Sequence, residues 1–219
     1  TNALVALFHL GKEGQRVTEE EIKSVIQESA ETGGVEEVEQ DIMERAMVMG
    51  DQRVDQIMTY RTEIVTIDAG MSPPAVEDII KETPFANYPV VDGDMENVIG
   101  YVRLKDLLML QRKKDFNLKS VMQKPLYLPG NITVYKALEH LKRYHSNIAF
   151  ICDEFGALQG IVTFRDIFEG LVGTIQDKTE APDIIKRQDG KSWVVSGQGP
   201  FYDFLEYFDQ EDLYDSDYN

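Results

Sequence analysis

Gly160-Ile161-Val162-Thr163-Phe164-Arg165-Asp166 runs from an apolar stretch into what reads as the first turn of a helix. It has an echo. Gly100-Tyr101-Val102-Arg103-Leu104-Lys105-Asp106 lies 60 residues earlier, with glycine matching glycine and aspartate matching aspartate. A fixed period of this size marks an internal repeat. The copies extend on either side of these phrases, from Val54 to about Val172. The first holds Ile57-Met58 and Tyr88-Pro89-Val90-Val91-Asp92; the second holds Val121-Met122 and Ile148-Ala149-Phe150-Ile151-Cys152-Asp153. The two methionines are 64 residues apart, so the small length differences fall in the early turns.

Each copy predicts the same order of elements. A short strand (63–67; 126–128) leads to a helix (74–82; 134–144). An apolar strand (88–91; 148–151) and an Asp/Gly-rich turn follow. A second apolar strand (98–102; 158–162) then enters a helix beginning near Arg103 or Phe164. Two β-α-β-β-α units of this size cannot each bury both faces of a sheet alone, so they should pack on one another. The expected fold class is α+β, with a two-fold-like domain of about 120 residues at its centre.

The flanks differ in character. Thr18-Glu19-Glu20-Glu21 has the form of a capping box, followed by Ile22, Val25 and Ile26 at helical spacing. Gly33-Gly34 should break that helix. A second helix, 35–49, carries Val38, Ile42, Met43, Ala46 and Met49, and Gly50 stands where a helix C-terminal glycine belongs. Residues 13–52 thus read as an acidic helical connector, and 1–12 as the stump of an upstream element. Beyond the repeats, a turn at 188–190 precedes the strand-like Trp193-Val194-Val195. Phe201, Phe204, Leu205 and Phe208 follow Pro200. We expect 182–219 to be the start of a small α+β domain, cut short in an acidic tail at 209–219.

Charge narrows the function. The chain has 219 residues, a formal net charge of −17 and 42% hydrophobic residues, enough for a core. Residues 1–50 hold 11 acids and 4 bases, 181–219 hold 9 and 3, and 51–180 hold 19 and 15. So negative a surface repels phosphate backbones and argues against nucleic acid. A nearly balanced middle still allows a local basic pocket for an anionic small molecule. One cysteine, Cys152, leaves no disulfide framework. No run reaches the 18 or so apolar residues of a membrane span, and a chain opening on Thr1 reads as a piece of something longer.

The chemistry concentrates where a buried strand delivers Thr163 to a helix start. There a hydroxyl lies beside backbone N–H groups, Asp166 can accept bonds from a ribose diol, and Arg165 adds a cation. The same pattern is also an ordinary capping box with Thr at the N-cap and Asp at N3. Repetition favours the first reading, because like units packed together leave a cleft at matching positions. Other constellations fail. Gly190-Lys191-Ser192 lacks the glycine that a P-loop needs at position 185, where Ile185 stands. Cys152 with His140 and His145 could suggest a thiol nucleophile, but Cys152 ends an apolar strand and the sequence offers no third member of such a set, so it reads as a core cysteine. His9, His140 and His145 do not form a zinc set. Asp92-Gly93-Asp94 reads as a turn. With no paired carboxylates either, no enzyme emerges.

The two copies resemble a tandem pair of CBS (cystathionine-β-synthase) domains, also called a Bateman module. A narrower likeness lies in Cys152-Asp153-Glu154-Phe155-Gly156, Gly160-Ile161-Val162-Thr163, Asp166-Ile167, Glu169 and Val172-Gly173. These are similar to the CorC/CNNM family of hemolysin-like membrane proteins related to magnesium and cobalt efflux. Met58-Thr59-Tyr60-Arg61 resembles that family's Met-Thr-Pro-Arg motif, and the segment from about 182 looks like its CorC/HlyC transporter-associated domain. The resemblance implies a membrane domain ahead of residue 1, placed in the inner membrane with this region on the cytoplasmic side. It also implies homodimerisation, and binding of an adenine nucleotide, AMP or ATP, together with Mg²⁺. By this resemblance Thr163 and Asp166 hold phosphate and ribose, Arg61 lines the cleft, and Ile148 and Ala149 edge the base. Tyr127, on the first strand of the second unit, is a further candidate for the base.

Three departures stand out. Arg103 replaces the hydroxyl residue in the first copy, where a long cation could neutralise phosphate or equally fill the pocket; Tyr60 replaces the motif proline, and Asn87 stands at a position often basic in relatives. A regulatory module with one nucleotide site is therefore expected. The alternative is a purely structural dimerisation platform whose site has decayed.

Overall fold

The computed structural model describes residues 18–112, 115–173, 184–187, 189–197, 199 and 201–214. The stump at 1–12, Pro200 and the end of the acidic tail lie outside them. Residues 1–47 and 48–219 form two compact units.

In the first unit, helix α1 (Glu19–Glu31) opens on the expected capping box. The Thr18 hydroxyl accepts from the Glu21 N–H and the Glu21 carboxylate accepts from the Thr18 N–H. The helix ends before Gly33, whose φ of 76° is the left-handed conformation that glycine tolerates. Helix α2 (Glu37–Asp51) follows and continues past the unit boundary. It runs through Gly50, so that glycine is no C-terminal cap. A Cβ there would meet the ring of Tyr135 at 3.4 Å, and packing is the reason for the small residue.

The second unit opens with strand β1 (Thr59–Tyr60) and then β2 (Ile67–Asp68), α3 (Pro73–Glu82), β3 (Asn87–Asp92), β4 (Asp94–Arg103) and α4 (Leu104–Leu110). The second copy supplies β5 (Tyr127–Pro129), α5 (Val134–Tyr144), β6 (Ile148–Cys152), β7 (Leu158–Thr163) and α6 (Phe164–Val172). Strands β8 (Ile184–Lys186) and β9 (Trp193–Val195) then form an antiparallel pair, followed by α7 (Phe201–Tyr207) and a 3₁₀ turn at Glu211–Leu213. The expected strand at 63–67 shrinks to Ile67–Asp68. Parallel pairing with β3 begins only at Ile67, and Arg61–Glu63 winds into a 3₁₀ turn instead.

The repeats exchange their leading segments. Sheet one is β2-β3-β4 and sheet two is β1-β7-β6-β5. Thus β1, which leads into the first copy, pairs antiparallel with β7 of the second. Reciprocally, Gln123 ahead of the second copy bridges to Tyr101 on β4 of the first. Both approaches are too close for a side chain. A Cβ on Gly160 would sit 2.5 Å from the Thr59 carbonyl oxygen, and one on Gly100 2.7 Å from that of Gln123. The paired Gly–Met spacing in the sequence records this contact: Met58 and Met122 lie over the two glycines.

Alternation along buried strands builds three cores. On β6, Ala149 and Ile151 face a cluster with Val134, Ala137, Leu141 and Ile167. Ile148 and Phe150 face the other way, joining Ile64, Val91, Val98, Tyr101 and Leu158 in a cluster drawn from both sheets. That cluster is where the two repeats pack on one another. The third core holds Ile67, Val76, Tyr88, Val90, Val102 and Leu107 of the first copy. The segment after α2 docks on the second copy: the Val54 N–H donates to Ile132 O at 2.9 Å and the Val134 N–H to Gln52 O at 3.0 Å.

Candidate functional site: the strand-to-helix turn of the second repeat

β7 ends at Thr163 and α6 begins one residue later, so the backbone turns from sheet to helix at that residue. The two side chains expected to bind a nucleotide are found in a reciprocal cap. The Asp166 carboxylate accepts from the Thr163 N–H at 2.7 Å, and the Thr163 hydroxyl oxygen accepts from the Asp166 N–H at 3.3 Å. Both readings of the pattern are thus compatible, since the cap fixes the rotamers that a ligand would meet. Burial pushes the Asp166 carboxyl above the usual aspartate range, against the Thr163 hydrogen bonds that stabilise its charge. Glu169 adds to the rise and Arg165 opposes it.

A carboxyl whose folded pKa is raised favours folding most when protonated. Its contribution is complete below the unfolded value and is lost as pH rises through the folded one. Asp166→Asn keeps a capping oxygen and removes the charge. Relative to wild type, its melting temperature is expected to rise as pH goes from about 4 to about 7. A difference that stays flat or shrinks over that range would contradict the assignment.

The remaining predicted residues divide. Ile148 pairs with Thr163 across the β6–β7 ladder and Ala149 with Val162, both wholly buried, so the strand does pass beside the turn. Arg165 lies next to it, with its guanidinium 2.7 Å from Glu169. Arg61 is not brought there. Its Nη1 approaches the Leu158 carbonyl at 3.5 Å, at the opposite end of β7 from Thr163. At about 3.3 Å per residue, that carbonyl and Thr163 are roughly 16 Å apart. The Tyr127 hydroxyl donates to Val98 O at 2.9 Å and its ring lies 5.8 Å from Phe150, so it ties the repeats together. Burial raises its pKa.

In the first repeat, Arg103 replaces the cap. Its Nε lies 2.5 Å from the Asp106 carboxylate. This side chain helps to line a hollow of about 410 Å³ with Ala86, Asn87, Lys105, Leu108 and Asn147; the share of Asn147 in it is what the sequence did not indicate. The signal was present only in three dimensions, because Asn147 belongs to the other repeat. A second hollow of about 500 Å³ lies at the far end of β6, beside Tyr60, Asn131, Cys152, Glu154 and Gln159. Asp153 there is occupied in holding its own loop, accepting from the N–H groups of Phe155 and Ala157 and from the Gln159 amide. Among the described residues no group of three or more His, Cys, Asp or Glu is placed to hold a metal ion. No described helix is long and apolar enough to cross a membrane.

Known proteins share this arrangement. The CBS domain family matches residues 54–113 and 118–173. The UPF0053 protein sll0260 of Synechocystis is 36% identical over 97% of this chain; the chain spans about half of that relative, 48%. The magnesium and cobalt efflux protein CorC of Escherichia coli is 30% identical, over 94% of this chain and 70% of its own length. A solved structure described as the CBS domain of the bacterial CNNM/CorC family Mg²⁺ transporter in complex with ATP is 27% identical. It superposes with a TM-score of 0.59 over 63% of this chain and 99% of its own. With two matching repeats and CorC similarity along almost its whole length, the chain belongs to the CBS-domain family as a tandem pair, and within it to the family of CorC.

Proposed function

We propose that this chain is the nucleotide-sensing regulatory part of a membrane protein that exports magnesium or cobalt. In this reading it sits on the cytoplasmic side of the inner membrane, follows a transmembrane domain, binds an adenine nucleotide, AMP or ATP, and catalyses nothing itself. The observation that carries the reading is the Thr163–Asp166 turn. A hydroxyl, a partly buried carboxylate and a helix start converge there beside a hollow lined by cations, which suits phosphate and a ribose diol. The ATP complex of the related CBS domain supports it. Mg²⁺ would arrive with the nucleotide and offset its charge in so acidic a protein. A ligand can bias the module only by its differential affinity for two states. Homodimerisation is favoured by Leu108 and Met109 on α4 and Phe164 and Phe168 on α6, all about half exposed or more.

A second reading, a dimerisation platform without ligand, is favoured by the Arg103–Asp106 pair, which uses up the carboxylate of the first repeat. Thermal unfolding with AMP, ADP and ATP, with and without Mg²⁺, separates the two. A ligand at about 100 times its dissociation constant should add about 2.7 kcal/mol. For a chain of this size that is a rise of roughly 5–10 °C, absent in Asp166→Ala. No rise with any nucleotide, in a sample that light scattering shows to be dimeric, would leave the platform reading. A monomer would remove the dimer from both.

A further inference from the structure

The hollow of about 500 Å³ lies away from the Thr163 turn, at the joint where the segment after α2 meets the second repeat. Three pieces of chain wall it: residues from 53–60, the turn at 129–131 ahead of α5, and the end of β6 with the turn into β7. Its lining has two characters. Met58, Tyr60, Pro129 and Ile151 are apolar or aromatic, while Asp55, Asp153 and Glu154 set three carboxylates against the single guanidinium of Arg53. Those charges are not equivalent. Asp55 is paired with Arg53 at 3.1 Å. Asp153 holds its own loop, accepting hydrogen bonds at 2.9, 2.8 and 3.0 Å. Glu154 is exposed and has no hydrogen bond or ion pair among the described residues, and neither has the side chain of Asn131.

We infer that this hollow binds an aliphatic diamine, with its hydrocarbon stem against Met58, Pro129 and Ile151 and an ammonium on Glu154. The volume falls in the range of small-molecule sites, roughly 300–1,000 Å³. A surplus of two carboxylates over the guanidinium matches two ammonium groups, and an apolar lining suits the carbons between them. Tyr60, half exposed, offers a ring face to a cation. The Asn131 carbonyl can accept an ammonium N–H. A chelated metal fits less well, since no three His, Cys, Asp or Glu among the described residues are placed to hold one. The site bears on the joint. The Val54 N–H donates to Ile132 O at 2.9 Å and the Asp55 N–H to Gly130 O at 3.2 Å, and Asp55 and Gly130 both line the hollow. A ligand that binds only the closed joint stabilises it by mass action, so these amides should open less often. None of this depends on a nucleotide.

Calorimetric titration with putrescine near physiological salt tests the inference, with butanediol as the uncharged control and magnesium chloride as the purely ionic one. The melting temperature of each variant serves as a folding control. A charged hydrogen-bonding partner corresponds to roughly tenfold or more in affinity. Glu154→Gln should therefore weaken putrescine by about that factor. Tyr60→Leu, which keeps an apolar wall and loses the ring, should weaken it about two- to fivefold. Glu31→Gln removes the same charge from the first compact unit and should change affinity by less than about twofold. Hydrogen exchange at the Val54 and Asp55 amides should slow in saturating putrescine and not in butanediol. Equal weakening by Glu154→Gln and Glu31→Gln would show a general attraction of polycations to an acidic chain and overturn the inference. So would butanediol or magnesium chloride giving the same heat and the same protection. Absence of any saturable heat with putrescine would overturn it as well.

Discussion

Phe150→Ala is expected to lower the melting temperature by roughly 6–20 °C. The side chain is wholly buried where the two sheets face each other, with the rings of Tyr127 and Tyr101 at 5.8 and 6.4 Å. Truncating a buried Phe removes transfer energy and leaves a cavity, together about 3–5 kcal/mol. In a chain of this size each kcal/mol shifts melting by about 2–4 °C. Set against a typical total of about 5–15 kcal/mol, the loss is a large fraction. Both repeats contribute to this cluster, so the transition should stay single while moving down. Circular dichroism melting measures it. A fall of only a few degrees, or a split into two transitions, would mean that the repeats do not depend on this contact. Phe150→Leu, which keeps most of the volume, should recover much of the loss.

Gly160→Ala is the second large effect, from one added carbon. Its Cβ would lie 2.6 Å from Met58 Sδ, which can swing away, and 2.5 Å from the Thr59 carbonyl oxygen, which is held in the β1–β7 pairing. Overpacking costs about 1–3 kcal/mol where side chains can adjust. Because the atom struck here belongs to the backbone, we expect the upper end of that range. Gly100→Ala should behave alike through Gln123. Gly197 is the control: a Cβ at that position would meet nothing within 4 Å, and its φ is not positive. Alanine there should change stability by less than about 0.5 kcal/mol. Equal stability of the Gly160 and Gly197 variants would show that β1 does not pack on β7 as described.

The repeat was legible because its marks are local. Glycine, apolar strand and aspartate recur at fixed spacing, and the helix Val134–Tyr144 and the strands either side of the Asp153 turn fall where periodicity puts them. What escaped depends on partners distant in sequence. Gly50 has the look of a helix terminator, and only the ring of Tyr135 shows why it is small. Residues 63–66 are apolar enough for a strand, but β3 offers no pairing until Ile67. Arg61 follows a motif seen in the sequence, yet the short β1 strand carries it to the end of β7 opposite Thr163, which only the strand pairing shows. The Thr163–Asp166 cap was visible as a pattern. That Asn147 of the other repeat lines the same hollow as Arg103 was not.

The exchange of leading segments also bears on how such a unit could arise. Each half lends a short edge to the other and receives one in return, as the members of a symmetric pair would. Two separate half-length chains could make the same trade, each completing its neighbour's sheet, once they had found one another in solution. Joining them in one polypeptide replaces that encounter with a local one at high effective concentration. Cutting the chain between the halves would then not release two independent folds. It would leave two open sheet borders, each seeking the strand it had lost.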